Sequence, residues 1–251
     1  MTRFFTDSQN ISNDIITLSA EDSKHIRTLR LRPDEDFVVC DGNGVDYICR
    51  LGERGDHAVA EIKGQRKSAG EPSVICKAYM AYSKGDRLDF AVQKSVELGV
   101  HEIILFKSDR CIAVPNDIPK KIARLQRIAL ETAKLCNRGI IPIVSSLDTL
   151  QKAVEDAVKN TDLTLFFYEA EDQLHIRNVL EKHFPSSHDE DGNTIKSVAI
   201  ITGPEGGLEP HEVDIARSHN VPIVSLGPRI LRSETAPPVA IATIMYQSGN
   251  L

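Results

Sequence analysis

No run of about 18 apolar residues, the length a helix needs to cross a bilayer, occurs in this chain of 251 residues. Its first residues, MTRFFTDSQN, lack the apolar centre of a signal peptide. A cytoplasmic protein with no membrane partner is therefore expected. The five cysteines, Cys40, Cys49, Cys76, Cys111 and Cys136, form no CxxC pair and are odd in number. That pattern supports neither a disulfide framework nor a zinc site, so reduced, mostly buried thiols and no metal are expected. Neither GxGxxG nor GxxxxGK[ST] is present, and the Rossmann and P-loop classes lose their fingerprints. HExxH and GxSxG are also missing, and no cysteine has a histidine near it in sequence, which leaves hydrolase chemistry without a motif. Histidines such as His101 and His175 stand singly, as surface and core histidines do.

What is present begins with an uneven charge. The total is −6, yet residues 84–138 carry a net +4 and residues 139–251 a net −8. A second basic cluster, KHIRTLRLR, places Lys24, His25, Arg27, Arg30 and Arg32 within a short stretch. A solvated helix face explains either cluster alone; two of them in an acidic chain point also to a polyanionic partner. The proportions of apolar and charged residues, 41% and 26%, are those of a globular protein. The length suits two domains of ordinary size.

The first ~70 residues read as β-rich. DFVVCDGNG and VDYICRLGE are strands joined by an Asn-Gly turn, and HAVAEIKG follows. Before them, Ser19-Ala20-Glu21-Asp22 has the form of a capping box opening a short helix that carries Lys24 and Arg27. GQRKSAGEP, residues 64–72, is polar and rich in turn formers, as linkers are, and divides a domain at 1–70 from one at 73–251. Beyond it strands and helices alternate. SVICKAYMAY, HEIILF, IPIV, LTLFFYEA, SVAIIT and VPIVSL are the strands. DRLDFAVQKSVELGV, IPKKIARLQRIALETAKLC, LDTLQKAVEDAV, HEVDIARSH and a helix near PVAIATIMYQ lie among and after them, and FPSSHDEDGNT is an acidic loop. The alternation predicts an α/β domain with a mostly parallel sheet.

Ligands of such sheets bind outside the carboxyl ends of the strands. Three strand ends carry unusual loops: FFYEAED with Tyr168 and Glu169, TGPEGGLEPHE with Glu205, and SLGPRILRSETAPP with Arg229, Arg232 and Glu234. A tight turn accounts for the glycines of the second loop but leaves Glu205 unexplained; a second Gly-Pro turn after another strand end is the more telling signal.

Taken together, these segments resemble the ribosomal small-subunit RNA (uracil-N3)-methyltransferases, the RsmE-like branch of the SPOUT or α/β-knot superfamily. RFF at Arg3–Phe5, HIRTLRL at residues 25–31 and DGNG at residues 41–44 are similar to that family's N-terminal PUA-like barrel. KGDRLDFAVQKSVELGV, IALETAKLCNRGIIP, ITGPEGGLEPHE and SLGPRILRSETA match its catalytic domain in order. Departures are Glu131 to Cys136, where the family has Glu-Ala-x-x-Gln-Ser before an arginine, kept here as Arg138, and Ser233 in place of a threonine. Pro237-Pro238, after SETA, is a third, and it predicts a late start for the last helix.

The resemblance implies a trefoil-knotted SPOUT domain after a small PUA-like β-barrel, and a homodimer acting on small-subunit ribosomal RNA. S-adenosylmethionine is its implied cofactor, held by Tyr168, Glu169, Thr202, Gly203, Glu205, Gly206, Leu226, Gly227, Ile230 and Leu231. Methylation at uracil N3 needs the N3 proton removed or the resulting anion stabilised, which makes Arg232 and Glu234 the catalytic candidates, with Glu205 read instead as an acceptor of hydrogen bonds. Arg3, Lys24, Arg27, Arg30, Lys84, Arg87, Arg110 and Arg138 are the candidate phosphate contacts. A ribose 2′-O-methyltransferase of the same superfamily and a non-catalytic RNA-binding assembly factor are the competing readings.

Overall fold

The computed structural model describes residues 1–54, 57–184 and 195–251, and the expected acidic loop FPSSHDEDGNT lies outside them except for Phe184. The chain divides into two compact units, Met1–Glu71 with Ala133–Ile141, and Pro72–Thr132 with Pro142–Leu251.

The first unit contains β1 (Arg3–Phe5), β2 (Ile11–Ser12), β3 (Ile15–Thr17), α1 (Ala20–Leu29), β4 (Phe37–Cys40), β5 (Val45–Arg54) and β6 (Ala58–Lys67). Its six strands form one mixed sheet in the order β1-β4-β5-β6-β3-β2. The turn between β4 and β5 is set by Asp41, whose carboxylate accepts hydrogen bonds from the backbone N–H of Asn43 and Val45 at 2.8 and 3.0 Å. Gly42 and Gly44 supply the positive φ this turn requires, +76° and +94°. Ser19 caps α1 by accepting from the Asp22 N–H at 3.0 Å. That helix lays Ile26 onto a core with Phe4, Ile16, Phe37 and Val39, leaving Lys24 and Arg27 exposed.

The segment expected to be a linker is half strand: β6 runs to Lys67, which pairs with Val45. Its second half is an anchor. The Glu71 carboxylate receives Arg138 through Nε at 2.9 Å and through Nη2 at 2.8 Å, and also the backbone N–H of Gly139 and Ile140. A Cβ on Gly139 would stand 2.0 Å from the Ser68 hydroxyl, so only glycine admits this approach.

The second unit contains β7 (Ile75–Ala81), α2 (Arg87–Glu97), β8 (Glu102–Phe106), α3 (Ile118–Leu135, its last residues belonging to the first unit), β9 (Ile143–Leu147) and α4 (Leu150–Asn160). There follow β10 (Leu163–Phe167), α5 (Ile176–His183), β11 (Ser197–Thr202), α6 (Pro210–Ser218), β12 (Ile223–Val224) and α7 (Ala236–Gln247). The strands lie in the order β12-β10-β11-β7-β8-β9 and every pair is parallel. The central strands are buried on both faces, which is why β10, LTLFF, is apolar at every position but Thr164 and shows no alternation of exposed and buried residues.

The last helix does not start late. It begins at Ala236 with Pro237 and Pro238 in its first turn, where a backbone N–H has no partner within the helix to lose. The Val239 N–H, the first available after them, bonds to the Thr235 carbonyl at 3.1 Å.

Candidate active site

The loops that follow β10, β11 and β12 leave the carboxyl ends of three adjacent strands. In the second, the Gly207 N–H closes a β-turn on the Pro204 carbonyl at 3.0 Å, with Glu205 and Gly206 at the corner. Gly207 has φ +71°, and a Cβ there would meet the Glu169 Oε1 at 2.0 Å, so a side chain is excluded on two counts. Gly203 has no room either, with Leu208 2.8 Å from a Cβ.

The turn fixes where Glu205 goes. Its Oε1 accepts from the Lys84 backbone N–H at 2.7 Å and from Arg87 Nη1 at 3.0 Å, while Oε2 is buried with no hydrogen-bond partner among the described residues. Burial alone would raise the proton affinity of this carboxyl; the Lys84 amide and the Arg87 guanidinium more than offset it and hold Glu205 below the usual carboxylate range.

In the third loop, Ser225 is held between the Leu174 carbonyl and the Ile176 N–H, and its hydroxyl accepts from Gly227 N–H at 3.2 Å. Gly227 is at φ +105°. The Thr235 and Ala236 N–H groups both bond to the Arg232 carbonyl, at 2.8 and 2.9 Å, which pins the Arg232 backbone and leaves its side chain 79% exposed. Glu234 Oε1 lies 3.9 Å from Arg232 Nη1 and 3.9 Å from Arg87 Nε, between two guanidinium groups.

Two adjoining cavities open among these loops. The first is lined by Tyr168, Thr202, Gly203, Leu226 and Gly227; the second by Arg87, Glu205, Gly206, Arg232 and Glu234; Glu169, Ile230 and Leu231 line both. All twelve cofactor and catalytic candidates named from the sequence are thus brought to one place. The cavity walls suit a nucleoside-bearing sulfonium: glycine backbone in close approach, apolar Leu226 and Leu231, and carboxylates at the edge.

The phosphate candidates separate. Lys24, Arg27 and Arg30 are exposed on the first unit, and Arg27, Arg30 and Arg32 surround a shallow cavity there. Lys84 is exposed on the second unit. Arg3 and Arg138 are to be corrected: Arg3 is 7% exposed and bonds to both oxygens of buried Asp46 at 2.6 and 2.7 Å, and Arg138 is 2% exposed on Glu71. Neither presents donors to a phosphate.

Arg110 donates to Glu209 at 2.7 Å and to the Gly206 carbonyl at 3.0 Å, bracing the loop after β11. Arg87, although 43% exposed, lies against Glu205 and Glu234. These bracing roles had no local signal in the sequence because the partners of Arg87 and Arg110 are distant in the chain. Among the described residues no group of three or more His, Cys, Asp or Glu is placed to hold a metal, and no helix is long and apolar enough to cross a membrane.

A parallel α/β sheet with a cleft among the loops at its strand carboxyl ends, preceded in the chain by a small mixed-sheet unit, defines a two-unit α/β ligand-binding protein. The profile described as RNA methyltransferase domain matches residues 71–245, and that described as RNA methyltransferase PUA domain matches residues 18–63. Ribosomal RNA small subunit methyltransferase E of Mesomycoplasma hyopneumoniae is 32% identical over 238 residues, 94% of this chain and 95% of its own. That of Bacillus subtilis is 28% identical over 262 residues, 100% of this chain and 98% of its own. A crystal structure of the Neisseria gonorrhoeae enzyme of the same name, bound to S-adenosyl methionine, matches with a TM-score of 0.82 at 29% identity, covering 98% of this chain and 97% of that one. The chain belongs to the ribosomal RNA small subunit methyltransferase E family.

Proposed function

We propose that this protein methylates N3 of a uridine in small-subunit ribosomal RNA, with S-adenosylmethionine as methyl donor. The observation that carries the reading is the pair of cavities sharing Glu169, Ile230 and Leu231, one walled by glycine backbone and apolar side chains, the other by Arg232 and Glu234. The first would hold the donor, with Gly203 and Gly227 letting backbone approach it and Leu226, Ile230 and Leu231 packing its adenine. S-adenosylmethionine supplies an activated methyl group when bound.

The second cavity would take the target base. Uracil N3 becomes nucleophilic only when its proton leaves, and the negative charge then spreads over O2 and O4. Arg232, its backbone pinned and its guanidinium free to reach, is the cation placed to stabilise that charge. Glu234, held beside it, accepts the proton or orients the arginine. Glu205, engaged by Lys84 and Arg87, shapes the loop. Lys24, Arg27, Arg30 and Lys84 bind phosphate, which positions RNA without reading its sequence. We also assign a cytoplasmic location and a homodimer; α7 buries Ile241 and Ile244 within its own chain and leaves Tyr246 73% exposed for a partner copy.

Nucleoside mass spectrometry of ribosomal RNA from a deletion strain, with and without the restored gene, tests the position. N3-methyluridine should disappear and return; loss of a 2′-O-methyl nucleoside would show ribose chemistry instead, and no change would leave an RNA-binding role. Arg232→Ala should lower kcat by roughly a hundredfold or more, the range for a lost charge-stabilising donor, with the melting temperature and sedimentation coefficient unchanged. A fall in either would reassign Arg232 to structure.

A further inference from the structure

The sequence predicts a phosphate contact for Arg87, but the structure gives it carboxylate neighbours from two different loops. Its Nη1 donates to Glu205 Oε1 at 3.0 Å and its Nε stands 3.9 Å from Glu234 Oε1. Arg87 is the first residue of α2, whose Leu88, Ala91, Val92, Ser95 and Val96 are buried, so the guanidinium is carried on a fixed support. Glu205 and Glu234 are only 17% and 16% exposed. Apart from Arg87, Glu205 Oε1 has the Lys84 amide, and Oε2 has no hydrogen-bond partner among the described residues.

We propose that Arg87 is a positioning residue of the methyl-donor pocket, tying the loop at 203–208 through Glu205 to the loop at 225–235 through Glu234. The inference rests on the methyltransferase reading above. Both loops wall the first cavity, so their separation decides whether it has the donor's shape. A planar guanidinium can serve two carboxylates at once, which an ammonium does poorly. Removing it leaves Glu205 largely buried with backbone amides but no counter-charge, and frees the two loops from each other.

The test is a double-mutant cycle read by calorimetric titration of the full-length protein with S-adenosylmethionine, in the absence of RNA. Arg87→Ala and Glu205→Gln should each weaken binding about tenfold, the scale of one hydrogen bond to a charged group. Because the two residues act as one unit, the double variant should bind no worse than the weaker single variant. Arg87→Lys should recover only part of the loss. Losses that multiply in the double variant would overturn the proposal. So would unchanged donor affinity in Arg87→Ala combined with weaker, less salt-dependent RNA binding, which is the behaviour of a phosphate contact. If Arg87→Ala lacks a cooperative melting transition, the cycle is run with Arg87→Lys in its place and judged by the same rule. A wild-type protein that gives no heat with the donor refutes the methyltransferase reading itself, and the inference falls with it.

Discussion

The buried pair of Arg3 and Asp46 illustrates how a single charge is kept inside this protein. Asp46 is 1% exposed, and it accepts two hydrogen bonds from Arg3 and one from the Ser68 hydroxyl. Burial would raise its proton affinity, yet those bonds win and hold the carboxyl below the normal range. Asp46→Asn leaves a buried guanidinium without its counter-charge and should destabilise the protein by about 3–5 kcal/mol in a denaturant titration near neutral pH. Because the folded-state affinity for the proton is lowered, the stabilisation is present above the unfolded-state pKa of about 3.9 and fades as pH falls through the folded value. The gap between wild type and variant should therefore narrow in strongly acidic buffer; a gap that widened there would refute the assignment. Burial acts in the same sense on the thiols, but with no ion pair to outweigh it, and it pushes Cys49 and Cys76 up to about 12, so neither is a nucleophile at neutral pH.

At the scale of elements, the loop after β11 is shaped by exclusion more than by attraction. Gly207→Ala adds a methyl group where Glu169 stands and forces a positive φ on a residue with a Cβ. Donor affinity should fall by at least about tenfold with little change in melting temperature, since strain of roughly 1–3 kcal/mol would be relieved by moving the loop. Unchanged affinity would mean the loop does not wall the donor site. Much of the architecture was legible in the chain. Alternating apolar runs and amphipathic stretches revealed the parallel sheet and its helices, because a strand buried on both faces is apolar at most of its positions. Among the described residues, the short helix α5 is the one element of ordinary length not legible in the sequence: Ile176, Val179 and Leu180 have helical spacing, but eight residues with three apolar positions make a weak periodic pattern. The two-residue β2 carries too little pattern to register, whereas β12, equally short, lies within VPIVSL and was legible as a strand. At the site, composition singled out the two Gly-Pro loops, and resemblance supplied their pairing. That Arg87 and Arg110 brace those loops, while Arg3 and Arg138 face inward, depends on partners about 40 to 120 residues away, which no local pattern encodes.

The whole molecule is two units, but the chain does not pass between them once. Ala133–Ile141 belongs with Met1–Glu71 although the residues on either side of it belong to the other unit. A fragment beginning at residue 73 would carry Arg138 without Glu71, and Gly139 without the Ser68 and Gly44 it packs against. It should express poorly or melt well below the intact chain; a fragment as stable as the parent would show that the segment folds without its anchor. The arrangement also constrains how such a protein can be recombined. An N-terminal unit borrowed from a relative would meet a foreign partner at positions 133–141, so a workable chimera has to exchange that inner segment along with the N-terminus, and inheritance of the first unit is tied to nine residues in the middle of the sequence.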